Sequence, residues 1–318
     1  MKRIYLATVA AAGALALAAC GSSGSSSKTS TPPAQTAGGG SSAGSTALPT
    51  APGSVTIGSA AFPENELLAD IYGDAMAAKG VTVTKKLNIG ERSVYMAALA
   101  DGSIGAVPEY TGSILYYLNT SATEKTPDDV YAALQQQAAA KGFVPTNFAA
   151  AQDSDTITVT KATAESKHLT TIADLASVAG DMTLGAPAQF RTRADGVPAL
   201  KSVYGVTFGN FTVTEAGGTV TVNALKNGSI DAADIFSTDP SIAANNFVSL
   251  QDPKSMFAAQ NVVPLFAKSV LTQPMKDACD AVSAKLDTTT LAGLVSKVAG
   301  GQDADKVAKD WLSQQGLG

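Results

Sequence analysis

The chain of 318 residues holds one histidine, two cysteines and one tryptophan. With His168 alone there is no material for a Ser-His-Asp triad and no spaced imidazole or thiolate set for zinc, so no metal is expected. That histidine stands in "AESKHLTTIADL", a joint between two helical patterns, where an exposed or capping role is expected. Charge is also sparse: 22 Lys and Arg against 27 Asp and Glu give a formal −5, with no basic stripe, which argues against nucleic acid as a partner. No GxxxxGK[ST] run occurs, which leaves out that phosphate loop; the glycine pair in "EAGGTVTVNAL" would add amides to an anion site only if it faced a cleft. A hydrolase working through paired carboxylates stays open, although no duplicated acids stand at the strand ends. No catalytic residue and no cofactor are expected.

What is there begins with an export signal. Lys2 and Arg3 precede an apolar run from Ile4 to Ala19 that is shorter than the roughly 20 residues of a membrane span. "LAAC" follows, and the pattern resembles a bacterial lipoprotein signal, residues 1–19, with Cys20 lipidated as the mature N-terminus. Ser, Gly, Thr, Ala and Pro dominate up to Gly53, so residues 20–53 are expected to form a disordered tether of about 30 Å root-mean-square reach. The protein is therefore expected on the outer face of the cell membrane. Cys279, in the helical pattern "MKDACDAV", has no disulfide partner once Cys20 is lipidated, and a buried apolar role is expected.

The body, Ser54 to Gly318, alternates β-rich runs with helical patterns. "SVTIGSA", "VTVTKKLN", "SIGAV", "TITVT", "MTLGA", "NFTVTE", "SIDAADI" and "NVVPLFA" read as strands, and the alternation predicts an α/β fold with parallel pairing. Pro63 with Glu64 and Glu66 opens a helix that Lys79-Gly80 ends; Thr126-Pro127-Asp128-Asp129 opens another that Lys141-Gly142 ends. From about Thr272 onward only helices are expected, with Val307, Trp311 and Leu312 on one packing face. One phrase occurs twice, as "ALADGSIGAVPEYTGSI" and "ALKNGSIDAADIFSTDPSI", and each copy carries an aromatic to a strand exit: Tyr110 and Phe236. Phe62 and Phe190 follow two other strands. Ligands of open α/β sheets bind beyond the carboxyl ends of strands, so four aromatics in two halves suggest two lobes facing across a cleft.

"SAAFPENELLADIYGDAM", "NIGERSVYMAALADGSIGAVPEYTGSIL", "APAQFRTRADGVPALKSVYG" and "NALKNGSIDAADIFSTDPSIAANNFVSLQD" together resemble the substrate-binding proteins of osmoprotectant ABC importers, the glycine betaine, choline and proline betaine group. The resemblance implies a two-lobe venus-flytrap (type II periplasmic-binding-protein) fold with two crossovers near Thr156 to Thr160 and Asn261 to Leu265. Residues 54–157 and 262–318 would make lobe 1, and 158–261 lobe 2. It also implies a monomeric, non-enzymatic receptor that captures a small solute between the lobes and delivers it to membrane permease and ATPase subunits.

A quaternary ammonium has no N–H to donate, so aromatic faces and charge must hold it, at about 0.5–2 kcal/mol per face. Three faces give at most about 6 kcal/mol, whereas micromolar affinity needs about 8. The resemblance supplies polar candidates for the rest: Asn65, where relatives usually carry glutamine; Thr111 in "PEYTG"; Asp155 at the first crossover; and Arg193 in "FRTRADG", suited to a carboxylate, with Arg191 beside it. Arg193 and Asp195 alternatively brace a turn, and Glu109 is expected to cap the helix of "YTGSILYYL" rather than touch ligand. The chain departs from the group by carrying Val222, Phe236 and Asn261 or Gln260 where relatives usually carry tyrosine. A bulkier planar or polyhydroxylated solute therefore stays open as ligand, as does a sensor role with a signalling partner.

Overall fold

The computed structural model describes residues 47–318. The signal segment, Cys20 and most of the expected tether lie outside the described residues. Ten strands form two five-stranded sheets. The first holds β1 (Ser54–Gly58), β2 (Thr82–Lys86), β3 (Ala106–Tyr110), β4 (Phe143–Pro145) and β10 (Val262–Ala267), in the order β2-β1-β3-β10-β4. The second holds β5 (Asp155–Thr160), β6 (Thr183–Ala186), β7 (Asn210–Val213), β8 (Ala232–Phe236) and β9 (Phe247–Ser249), in the order β7-β6-β8-β5-β9. Around the first sheet lie α1 (Pro63–Ala78), α2 (Arg92–Asp101), α3 (Thr111–Leu118) and α4 (Pro127–Ala140); around the second, α5 (Lys161–Lys167), α6 (Val197–Tyr204), α7 (Gly218–Lys226) and α8 (Pro240–Ala244). The chain closes with α9 (Gln273–Ser283), α10 (Thr288–Ala299) and α11 (Ala304–Gln315), so the helices-only reading of the C-terminal stretch holds.

The alternation marks eight of the ten strands, missing the three-residue β4 and β9, and overstates parallel pairing. β1 pairs parallel with β2 and β3, and β6 with β7 and β8. The strands that arrive from the other half of the chain run the opposite way: β10 is antiparallel to β3 and β4, and β5 to β8 and β9. A segment entering a sheet directly from the neighbouring sheet has no crossover helix to turn it round, and a parallel neighbour requires one. The two passages between the sheets touch at an isolated bridge, Gln152 with Asn261.

Each sheet has its own core. Phe266, Ile57, Leu67, Tyr72 and Met76 lie with Val307, Trp311 and Leu312 of α11 and the wholly buried Cys279 of α9 in one cluster of the first lobe. Burial pushes the Cys279 thiol far above its ordinary pKa, so it stays protonated and inert. Ile157, Leu184, Phe190, Leu200 and Tyr204 centre the second. Helix ends follow their punctuation: the Thr126 side chain accepts from Asp129 N–H, and Gly102 ends α2 in the left-handed region at φ 84°. His168 is the left-handed C-cap of α5, exposed to solvent. The tether boundary at Gly53 is corrected: Leu48 already packs on the first core, and Pro49 and Pro52 carbonyls accept from Gln273 N–H and the Thr272 hydroxyl.

Candidate functional site

Three aromatics reach the space between the sheets, all near strand exits. Phe62 follows β1 and is the N-cap residue of α1; Pro63 at the first helical position holds it extended, at φ −149° and ψ 149°. Tyr110 is the last residue of β3 and the N-cap residue of α3. Phe236 ends β8. The antiparallel crossover strands complete the site: β5 sets Asp155 opposite Phe236, and β10 sets Val262 opposite Tyr110, which brings Gln260 alongside. Gly112 permits that approach, because a Cβ there would stand 2.6 Å from the Ala259 carbonyl oxygen.

These residues line a cavity of about 620 Å³, within the range of small-molecule sites. Phe62 and Tyr110 stack on each other, ring centroids 6.3 Å apart and planes 23° apart, and form one wall. Phe62 and Phe236 are more than a third exposed, unusual for large apolar rings, whereas Tyr110 is 6% exposed. The lining also carries a polar set, Arg92, Glu124, Lys125, Asp153, Asp155, Arg193, Asp195 and Gln260, beside the apolar Leu115, Ala122, Ala194 and Ala258, with the exposed Tyr116.

Buried acids surround the aromatic wall. Tyr110 donates its hydroxyl to Glu64 Oε1 at 2.6 Å, and Thr238, after β8, donates to Asp153 Oδ1 at 2.7 Å. Desolvation first, and the neighbouring Asp153 charge second, push the Glu64 carboxyl up to about 8, against hydrogen bonds from Thr238 and Tyr110 that favour its charged form. Desolvation also raises Asp153 to about 6. Asp234, on β8, is fully buried with neither carboxylate oxygen hydrogen-bonded; burial and then Asp155 push it up to about 8. None of these three acids forms an ion pair among the described residues.

The arginines are committed. Arg193 Nη2 meets Asp155 Oδ2 at 2.5 Å, its Nε lies 3.1 Å from Asp195 Oδ1 without hydrogen-bond alignment, and its guanidinium rests 4.7 Å from the Phe190 ring centroid. The turn-bracing alternative for Arg193 and Asp195 therefore describes the contacts present. Arg92 forks onto the wholly buried Glu109 at 2.9 and 3.0 Å, and Tyr95 donates to the same carboxylate at 2.8 Å. Glu109 accepts from Tyr110 N–H but is foremost the partner of Arg92, which corrects the expectation of a plain helix cap.

Other expected contacts lie behind the lining. Phe190 is wholly buried in the second core against Phe257, with centroids 6.2 Å apart; the short 3-10 turn Ala188–Arg191 directs it inward. Asn65 clamps the loop ends, accepting from Ala60 N–H and donating to the Pro108 carbonyl. Thr111 donates to the Ala259 carbonyl and accepts from Asn261 N–H, while Asn261 donates to the Ala149 carbonyl. Asn65, Thr111, Phe190 and Asn261 thus hold the framework, and Phe62, Tyr110, Asp155, Arg193 and Phe236 face the cavity. Between Gln260 and Asn261, it is Gln260 that lines it. Val222 packs beside Leu225 and Ile230, and the Gly217-Gly218 turn lies against the Asp239 and Glu215 carboxylates, which disfavours an anion there. Arg191 stacks 4.5 Å from Phe211, away from the cavity. Asp153, Glu64 and Asp234 were not among the expected site residues. The available signal was an acid in "AQDSD" at the crossover and another at an inward position of "AADIF".

A family model described as the substrate-binding domain of ABC-type glycine betaine transport systems matches residues 53–314. The chain is 30% identical to the glycine betaine-binding protein YehZ of Escherichia coli (strain K12), over 82% of this chain and 90% of that one. It is 25% identical to the carnitine transport binding protein OpuCC of Listeria monocytogenes, over 82% of this chain and 86% of that one. Among solved structures, a glycine betaine/carnitine/choline ABC transporter structure superposes with a TM-score of 0.77 at 25% identity, covering 83% of this chain and 99% of that one. Ligand-free YehZ of Escherichia coli gives 0.72 at 29% identity, with the same coverage. With its two crossed-over sheets and the match along nearly the whole body, the chain belongs to the family of substrate-binding domains of ABC-type glycine betaine transport systems.

Proposed function

We propose that the protein is an extracytoplasmic receptor that captures a small quaternary-ammonium solute of the betaine, choline or carnitine type and hands it to an ABC permease, without chemistry of its own. The observation that carries this reading is the 620 Å³ cavity in which Phe62, Tyr110 and Phe236 meet the acidic Asp153 between the two sheets. Aromatic faces and a nearby carboxylate are the two features that attract a cation having no N–H to donate. Ligand contacts to both lobes favour the closed population, and the closed form is what a permease would receive. The protein works as a monomer, tethered by a lipid on Cys20 at the outer face of the membrane.

Thermal melting of the full-length protein against glycine betaine, proline betaine, choline and carnitine tests the reading. A ligand at about 100 times its Kd adds about 2.7 kcal/mol and raises Tm by several degrees. A flat response to every quaternary amine, with a shift from a planar or polyhydroxylated solute, would overturn the ligand class and leave the fold. Retention of a Cys20→Ser variant in the membrane fraction would overturn the anchor.

A further inference from the structure

Two carboxyl groups meet at one hydroxyl behind the aromatic wall. Thr238, from the loop after β8, donates its single hydrogen to Asp153 Oδ1 at 2.7 Å. Glu64, from the first turn of α1, reaches the same hydroxyl, and its Oε1 accepts from Tyr110 at 2.6 Å. With the Thr238 hydrogen already on Asp153, the contact between Thr238 and Glu64 has to be donated by Glu64. The hydrogen count therefore makes Glu64 a carboxylic acid, in a chain from Glu64 through Thr238 to the Asp153 carboxylate. Burial and then the Asp153 charge, which push Glu64 up to about 8, agree with that count.

The surroundings of the chain are mostly acidic. Asp155 and Asp239 stand next to Asp153, and neither Glu64 nor Asp153 forms an ion pair among the described residues. Of the cations lining the cavity, Arg92 is forked onto Glu109 and Arg193 is held by Asp155. Lys125 also lines it, has no ion pair among the described residues, and opposes the proton. Asp153 shares the lining with Phe62 and Tyr110, so a cation resting on those rings lies beside the chain. An opposite charge within about 4–6 Å lowers a carboxyl's pKa by about 1–3. Exchanging a proton for a permanent cation leaves the net charge of this buried group unchanged.

Resting on the quaternary-ammonium reading above, we propose that solute capture is coupled to release of the proton that Glu64 donates to Thr238. The Glu64 O–H bond breaks, its electron pair stays on the carboxylate, and the proton passes to solvent. Capture therefore strengthens as pH rises toward the value at which the empty protein gives up that proton.

The test is isothermal titration of the full-length protein with choline and with glycine betaine, in phosphate and in Tris at pH 7.5 and then from pH 7 to pH 9. Neither ligand titrates in that range, so any proton exchanged comes from the protein. For the ligand that binds, the heat is expected to differ between the buffers in the sense of proton release. Affinity is expected to rise at least threefold from pH 7 to pH 9; lowering a group at about 8 by 1–3 gives about fivefold to tenfold. Glu64→Gln keeps an acceptor for Tyr110 and an N–H for Thr238, and is expected to abolish both effects. Asp234→Asn removes the other acid raised to about 8, which lies against Asp155, and is expected to leave them in place. Equal heats in the two buffers, proton uptake, or a rise below threefold would overturn the coupling and leave the quaternary-ammonium reading standing. Release that survives Glu64→Gln, or disappears in Asp234→Asn, would overturn the assignment to Glu64. No binding of either ligand to the wild type would overturn both readings. The wild-type buffer comparison and Asp234→Asn decide the matter if Glu64→Gln fails to fold.

Discussion

Tyr110 and Phe236 occupy matching places in the repeated phrase, each at the end of a strand in its own sheet, yet they sit in different surroundings. Tyr110 is built into the first lobe: 6% exposed, stacked on Phe62 and tied through its hydroxyl to Glu64. Phe236 has no hydroxyl to anchor and lies 39% exposed, opposite Asp155. The first lobe thus presents a preformed aromatic wall, and the second an open ring beside an Asp155–Arg193–Asp195 charge group. A duplicated sequence phrase repeats the backbone position; the side chain and its neighbours decide whether that position is part of the core or of the cavity.

The contrast predicts its own strongest breach. Tyr110→Ala removes a buried ring from the first core and leaves Glu64 without one of its hydrogen bonds, so it is expected to cost about 3–5 kcal/mol of stability, read by urea unfolding. Unchanged unfolding would move Tyr110 out of the core and make the two aromatics equivalent. Arg92→Ala comes next: it strands the charge of Glu109, which has no exposure, and about 3 kcal/mol is expected to be lost, with Arg92→Lys recovering only part because it cannot fork.

A separate, pH-dependent effect comes from the raised acids, which span both sides of the cavity. Glu64 and Asp234, at about 8 in the folded protein, keep protons that the unfolded chain releases near its ordinary 4.5 and 3.8. Their contribution is complete below those ordinary values and is lost as pH rises to about 8, so Tm of the ligand-free protein is expected to fall by several degrees from pH 5 to pH 8. Asp234→Asn should flatten that slope, and a slope unchanged by the substitution would contradict the raised value. The smallest effect on folding belongs to Phe236→Ala, expected to change stability by less than about 1 kcal/mol, while one lost cation–π face weakens a quaternary amine by roughly threefold to thirtyfold. A variant that loses stability instead would erase the distinction from Tyr110.

The order of strands and helices, and the ends of α1 and α4, were legible because Pro, Gly and capping residues mark them locally. Three of the four strand-exit aromatics reach the cavity: Phe62 and Tyr110 as extended residues directly before a helix start, and Phe236 as the last residue of its strand. Phe190 differs because the turn that carries it has no local signature telling inward from outward, and its burial depends on Phe257, distant in sequence. Antiparallel crossovers were illegible for a related reason, since alternation of elements says nothing about which distant strand becomes a neighbour. Asn65, Thr111 and Asn261 show the limit of carrying family positions over: the polar groups are where a ligand shell is expected, but in this chain their hydrogen bonds close on the backbone. The acids Asp153 and Asp234 gain meaning only when the sheets bring Glu64, Asp155 and Thr238 around them.

The central claim is that aromatic faces from both lobes hold one quaternary ammonium. Its most direct measurement is isothermal titration of choline into the wild type and into Phe62→Ala/Phe236→Ala, two exposed rings whose removal spares the cores. The account predicts a loss of at least about fivefold in affinity with Tm nearly unchanged, from two faces at about 0.5–2 kcal/mol each. Equal affinity in a variant that melts like the wild type would contradict it.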